Sequence, residues 1–268
     1  MSKLFSIIIP TYNCVKVLEV AIESVVKQTY KNYEIVIIDG GSNDGTLDLV
    51  KSYALKHPKS IRYISEKDKG IYDAMNKGID FAQGEWLFFL GSDDYFYSET
   101  VFQELHDFIV NNPCEVVYGD ISGVRFNGRR SGDFSLTDLI TRNLCHQGIF
   151  FNKSVFSKIG IFDLKYKAHA DWDHNMRWFF NPKINKKYVT LIIAEYADGG
   201  FSSVNGDPVF IADKDFKIVK YGWKSLPPET ILYRAHAIFN NKSLNLSKRR
   251  TAFKCWFFVQ IRKRLSSI

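Results

Sequence analysis

In the first 120 residues, short apolar runs alternate with segments whose apolar residues recur every three to four positions. That rhythm narrows the possible folds more than any other feature. Residues 4–9, 33–38, 61–64, 86–90 and 115–118 are short and largely apolar, as strands buried on both faces are. Between them, residues 15–27, 46–55, 71–82 and 99–110 carry helical spacing, with Asp44, Gly45 and Ser98 as plausible starts. A β-α-β-α series of this kind predicts an α/β fold, a mostly parallel sheet flanked by helices on both faces. Ligands of such sheets bind beyond the carboxyl ends of the strands. Chemistry is therefore expected just after Ile9, Ile38, Ile64 and Leu90.

Beyond about residue 119 the rhythm becomes irregular. Asn127 and Gly128 read as a hairpin turn. A strand near 148–151, a helix near 171–180, a strand near 188–195 and a loop from Asp198 follow. Residues 210–268 read as helices, the last from about Ser247 to Leu265. The expected division is a catalytic domain over 1–205 and a helical, basic extension over 206–268.

Each expected strand end in the first half carries a polar cluster. These are Pro10, Thr11, Tyr12 and Asn13; Asp39 with the glycine-rich run to Thr46; Glu66 to Gly70; and Gly91, Ser92, Asp93 and Asp94. Any one could be a turn or a helix cap. Four on one sheet edge point to a site. A dinucleotide fold would need GxGxxG after the first strand, where this chain reads PTYNCV. Asp93 and Asp94 are adjacent carboxylates that repel each other unless a cation or hydroxyl groups compensate. A hard divalent ion, Mn²⁺ or Mg²⁺, held by one or two carboxylates and by substrate phosphates, suits them. It would neutralise a departing diphosphate. The alternative is a cap for a helix after Tyr95.

The net charge of +7 belongs to the tail. From Ile231 onward there are nine Lys or Arg and no acidic residue, whereas residues 1–230 hold 27 basic against 29 acidic side chains. A body so balanced is not expected to bind nucleic acid. Between Lys248 and Arg264, basic clusters flank an aromatic centre, a pattern that suits a helix lying on an anionic membrane surface. Packing of Phe253, Trp256, Phe257 and Ile261 on the catalytic domain is the other reading. No run reaches membrane-spanning length. Cys14, Cys114, Cys145 and Cys255 are far apart and suit neither a zinc site nor a disulfide framework. A cytoplasmic protein, peripheral at the inner face of the cell membrane, is expected.

The strings IIIPTYN, EIVIIDGGSNDGT, EKDKGIYDAMNKGIDFAQGEWLFFLGSDD and AHADWDHNMR resemble glycosyltransferase family 2, in particular bacterial colanic-acid and capsule enzymes. The resemblance runs from residue 4 to about 180. It implies a glycosyltransferase A-type fold, a divalent metal, a nucleotide-sugar donor (a UDP-sugar favoured, a GDP-sugar possible) and inversion at the anomeric carbon. The acceptor would be a hydroxyl of a glycan or lipid-linked glycan in surface polysaccharide synthesis. By the same resemblance Pro10, Thr11 and Tyr12 lie beside the base, Asp39 bonds it, and Asp68 sits near base or ribose. Asp93 would bind ribose or metal, Asp94 the metal, and Asp171 would be the general base. His146 and Gln147 match a position near the sugar or acceptor pocket. Gly91 and Ala170 stand where the family often has acidic residues, which leaves Asp173 as a competitor for the base. Asp171 and Asp173 lie two apart and cannot share a helix face, so one of them is expected to face the site. Asp73 and Asn76 open a helix whose free amides could face the sugar or diphosphate. A nucleotide-sugar-binding protein without turnover and a glycoside hydrolase remain as other readings.

Overall fold

The computed structural model describes residues 4–124, 128–130, 133–197 and 206–265. Strands β1 (Phe5–Thr11), β2 (Tyr33–Asp39), β3 (Ile61–Ser65) and β4 (Trp86–Phe89) form a parallel half-sheet in the order β3-β2-β1-β4. The intervening helices are α1 (Leu18–Val26), α2 (Thr46–Lys56) and α3 (Ile71–Phe81). Every residue of β1 and β2 is buried, and their side chains alternate between two cores. Ile7 and Ile9 face α1, α2 and α4 (Val101–Asn111), while Ile8 faces α3 and the later helices. Pro10 lies past Ile8, the last residue of β1 paired with β4, so its missing N–H interrupts none of the paired positions of that ladder. Helix α3 lies so close to β1 that a β-carbon on Gly78 would stand 2.4 Å from Ile8 Cγ2.

The second half pairs in mixed directions. It comprises β5 (Tyr95–Phe96), β6 (Val116–Gly123), β7 (Gly128–Arg130), β8 (Ile149–Asn152) and β9 (Lys186–Glu195). Strand β8 runs antiparallel to β4 and β6, while β6 and β9 are parallel. Tyr95 begins a short strand, not a helix, so Asp93 and Asp94 do not cap a helix there. In the β6–β7 hairpin Gly123 is opposite Gly128, whose φ of +107° favours glycine. Asn127 and the 198–203 loop fall outside the described residues.

Three short elements, α5 (Asp138–Thr141), α6 (Ser154–Ile159) and a 3-10 turn at His146–Gly148, lead to α7 (Ala170–Phe179). Helices α8 (Pro208–Gly222), α9 (Pro228–Asn240) and α10 (Leu246–Leu265) follow. Phe210, Ile218, Ile231, Ala235, Ala252, Cys255 and Val259 join the same core as Ile8, Met75 and Trp178. The basic extension is thus built into the wall beneath the site. Asp213 on α8 fastens it, accepting from Lys165 Nζ (3.0 Å) and the Tyr166 hydroxyl (2.9 Å) and pairing with Lys248 on α10. Burial pushes this carboxyl up, but the bonds from Lys248, Lys165 and Tyr166 outweigh it and hold it at about 2, below the ordinary 3.8.

A depressed folded-state value stabilises above the unfolded pKa, and that stability is lost as pH falls from 3.8 toward about 2. Urea unfolding at about pH 5 and about pH 2.5 is expected to show the loss, and Asp213→Asn to shrink it. The same pH dependence in wild type and variant would contradict this role.

Candidate active site

The carboxyl ends of β1 to β4 open onto a cleft of about 830 Å³. Pro10, Thr11 and Tyr12 line one side, and Tyr12, 66 % exposed, presents a ring on which a planar base could stack. Asp68 faces Tyr12 across Gly40: a β-carbon at residue 40 would lie 2.5 Å from Asp68 Oδ2 and 3.3 Å from the Tyr12 ring. Glycine is needed there for close approach, not for its φ.

Asp39 is fully buried and does not line the cleft, contrary to the expected contact with the base. Its carboxylate accepts from Gly41 N–H (3.2 Å), Ser42 N–H (3.2 Å), Ser42 Oγ (2.5 Å) and Ser65 Oγ (2.6 Å). It shapes the loop whose Gly40 and Gly41 form the cleft wall. The Ser42 and Ser65 hydroxyls and the Gly41 and Ser42 amides occupy its oxygens.

Opposite lies the amino end of α3. Gly70 to Met75 line the cleft, and the first-turn amides of a helix have no intrahelical acceptor. Asp73 also lines it, but its Oδ2 accepts from Lys69 N–H (3.0 Å), tying down the entry to the helix. Asn76 does not reach the cleft; it is buried and bonded to both Phe162 N–H and C=O at 3.0 Å. The expected sugar contact of Asn76 is therefore replaced by a clamp between α3 and the chain before α7.

Asp93 and Asp94 lie at the centre, on the turn after β4. Asp94 is 2 % exposed, with Oδ1 accepting from Ala197 N–H and Oδ2 from Gln147 Nε2, both at 2.8 Å. Burial and the neighbouring Asp93 charge push its carboxyl up to about 6, against the pull of Ala197, Gln147 and His146. A nearby cation would relieve that cost. Gly91 makes the position possible, because a β-carbon there would stand 2.3 Å from Asp94 Oδ2. Among the described residues no group of three or more His, Cys, Asp or Glu side chains gathers into a metal cage. The donor set is one or two hard carboxylates, which fits an ion completed by diphosphate oxygens and water.

Asp171 and Asp173, at the start of α7, have different surroundings. Asp173 is 1 % exposed, 2.7 Å from Lys217 Nζ and 2.9 Å from Arg177, and does not line the cleft. It is a buried counter-ion, and the expectation of a site role is corrected. Asp171 points the other way and lies just behind the cleft-lining Tyr72 and His146 without lining the cleft itself, 2.9 Å from the Tyr72 hydroxyl, 2.7 Å from Asn143 Nδ2 and 3.7 Å from His146 Nδ1. Burial raises its carboxyl, yet His146 and Tyr72 outweigh burial and leave it below the ordinary carboxylate range. His146 and Gln147 line the cleft on the 3-10 turn.

Sequence reasoning missed Tyr72, Asn143 and Tyr166. Tyr72 sits inside the GIYDAMN string, which was a signal of sorts. Asn143 and Tyr166, the latter a lining residue, lie in irregular segments with no local signature.

Comparisons with known proteins bear on the family and the fold. The sequence profile described as "Glycosyl transferase family 2" matches residues 6–180. A "PGL/p-HBAD biosynthesis glycosyltransferase" of Mycobacterium bovis is 40% identical over 216 residues, 80% of this chain and 82% of that protein. Staphylococcus aureus TarS (residues 1–349, solved with UDP-GlcNAc) is similar in structure, with a TM-score of 0.66 at 17% identity over 98% of this chain and 92% of that one. So is the Pyrobaculum calidifontis mannosyltransferase PcManGT with GDP-Man and Mn²⁺, with a TM-score of 0.61 at 16% identity over 95% and 74%.

Proposed function

The chain belongs to glycosyltransferase family 2, and we propose that it moves a sugar, with inversion, from a nucleoside-diphosphate donor to a hydroxyl of a glycan or lipid-linked acceptor. Its fold is the glycosyltransferase A-type. One observation carries the reading: Tyr12, Asp68, the amino end of α3, Asp93 and Asp94 converge on one cleft at the carboxyl rim of parallel strands. That rim supplies a stacking ring for a base, acidic acceptors for ribose hydroxyls, and amide donors for phosphate. Structural neighbours solved with UDP-GlcNAc and GDP-Man support a nucleotide-sugar donor.

Asp94 and Asp93 would hold a divalent ion, Mn²⁺ or Mg²⁺, which when bound supplies charge to balance the leaving diphosphate. The chain's own residues bind and orient. Tyr12 covers the base, Asp68 and Asp93 hold the ribose side, and the walls from Leu164 to Lys167 and from Tyr196 to Ala197 exclude water around the sugar. Acceptor deprotonation draws on Asp171 and the cleft-lining His146 beside it.

The test is a thermal-shift panel of UDP-, GDP- and dTDP-sugars with Mn²⁺, Mg²⁺ or chelator. A donor at 100 times its Kd stabilises the native state by about 2.7 kcal/mol. A melting point indifferent to every donor would sink the reading. Donor binding with no nucleoside diphosphate released would favour a binding protein.

We propose in addition that α10 rests on an anionic membrane surface, which suits a lipid-linked acceptor. The helix docks into the core through Ala252, Cys255 and Val259, with Trp256 partly buried. Phe253, Phe257, Phe258, Ile261 and Leu265 stay 40–67 % exposed, beside exposed Arg250, Lys254 and Arg264. Of the four side chains expected to pack on the domain, Trp256 does so, while Phe253, Phe257 and Ile261 stay largely exposed. Among the described residues no helix is long and apolar enough to cross a membrane. Removing α10 would open the core, so the informative variant replaces Phe253, Phe257 and Ile261 with serine. Its binding to phosphatidylglycerol vesicles is expected to fall about tenfold or more, most visibly at low salt. Co-sedimentation equal to wild type would dismiss the membrane contact.

A further inference from the structure

Asp207, the residue before α8, is buried and does not line the cleft. Its Oδ1 accepts from Phe210 N–H at 2.9 Å, the usual duty of an acidic residue that caps a helix. A cap needs only that oxygen. Oδ2 reaches away from α8 and accepts from Ala168 N–H at 3.0 Å and His169 N–H at 3.2 Å, two amides just before α7. Burial pushes this carboxyl up, but the three amides outweigh it and hold it below the ordinary range. It is therefore charged at neutral pH, and each bond is charge-assisted. The peptide unit that joins Ala168 to His169 is gripped at both ends. Its N–H meets Asp207, and its carbonyl oxygen lies 2.9 Å from the Tyr72 hydroxyl, which is also 2.9 Å from Asp171 Oδ1. Asp171 follows two residues later, in the first turn of α7. Phe210, whose amide Asp207 holds, packs its ring on Tyr166, His169 and Trp172, with centroids 5.3–5.4 Å apart. The start of α8 is thus the surface against which the start of α7 is set.

We propose that Asp207 is a positioning residue for glycosyl transfer: by holding the Ala168–His169 peptide it fixes where α7 begins, and so where Asp171 meets the acceptor hydroxyl. The inference rests on the transferase reading above, with Asp171 as the group that takes the acceptor proton. In that step the hydroxyl oxygen bonds to the anomeric carbon, and the bond from that carbon to the diphosphate oxygen breaks. The bonding pair leaves with the nucleoside diphosphate, and the hydroxyl proton passes to the Asp171 carboxylate. Asp207 exchanges no proton and touches no substrate. Its effect is geometric, and a displacement of about 1 Å at a reacting group can cost about 100-fold in rate. A residue of the C-terminal extension, beyond the 6–180 stretch that the family profile matches, then governs a group inside that stretch.

The experiment uses the full chain as wild type, Asp207→Asn, Asp207→Ser, Asp171→Asn and the double variant Asp207→Ser with Asp171→Asn. UDP-GlcNAc, UDP-glucose and GDP-mannose are offered with Mn²⁺, and nucleoside diphosphate release to water is measured beside donor-induced thermal shift and urea unfolding. Serine can still cap α8 through its hydroxyl but has no second oxygen for Ala168 and His169. It keeps the comparison open if Asp207→Asn does not fold. Both Asp207 variants are expected to hold donor KM within about threefold of wild type, while kcat per folded molecule falls about tenfold. Asp171→Asn should lose about 100-fold or more. The double variant should be within about threefold of Asp171→Asn alone, because Asp207 has nothing left to position. A lower urea midpoint with kcat per folded molecule unchanged in Asp207→Ser would make the contact purely structural and overturn the proposal. Losses that multiply in the double variant, or an Asp171→Asn as active as wild type, overturn it too. A wild type that neither binds nor consumes any donor overturns the transferase reading, and this inference with it.

Discussion

Replacing Asp94 with alanine is expected to abolish metal-dependent donor binding while the protein stays folded. The side chain is buried at the cleft centre, and its charge is uncomfortable enough to raise the carboxyl to about 6. Such a group is held in place by ligand chemistry, not by what it adds to stability. Alanine leaves the Gln147 amide and Ala197 N–H without their acceptor, a loss of about 1–3 kcal/mol. Removing a buried charge that lies beside Asp93 offsets part of that loss. Titration calorimetry with the donor from the thermal-shift panel, with Mn²⁺ and with chelator, is the measurement. Wild type should lose binding on chelation, and Asp94→Ala should bind no better with metal than without. Equal affinity for both proteins under both conditions would remove the ion from the mechanism.

The largest stability effect belongs to Asp173, away from the cleft. Asp173→Ala is expected to cost about 3–5 kcal/mol, because Lys217 and Arg177 would be left as buried, uncompensated cations. Lys217 is itself buried, 5 % exposed, on a helix of the C-terminal extension. A loss of that size is a large part of the 5–15 kcal/mol typical of a folded domain. Urea denaturation should show the midpoint falling sharply. Adding Lys217→Met to Asp173→Ala should recover part of the loss, since the orphaned ammonium is gone. A single variant as stable as wild type would show that the pair is not a structural tie. Donor turnover per folded molecule is expected to survive, because Asp173 does not line the cleft.

Asp171 and Asp173 show how far local sequence could be read. Position on α7 made it plain that only one of Asp171 and Asp173 could face the site, since residues two apart diverge on a helix. Asp173 finds its buried ion pair with Lys217 from α8, and that partner lies 44 positions away. Asp39 is a similar case. Its place at the end of β2 was legible, but Ser65, 26 residues on, helps draw its carboxylate away from the cleft. Asn76 stands near the opening of α3, where the sequence predicts a sugar or diphosphate contact. Phe162, 86 residues away, claims it.

Sequence alone determined the parallel half-sheet, its helices, and the acidic strand ends that mark the rim. Periods of two and 3.6 and the demands of turns act over a few residues, so they can be read locally. Tertiary structure decided the mixed second half of the sheet, the merging of the C-terminal helices with the core, and the aim of each acidic side chain. Asp94 is set by Gln147 and Ala197 at separations of 53 and 103 residues, and Asp171 meets Tyr72 across 99. A carboxylate turns toward whichever donors the folded chain brings within 3 Å, and those donors come from distant segments.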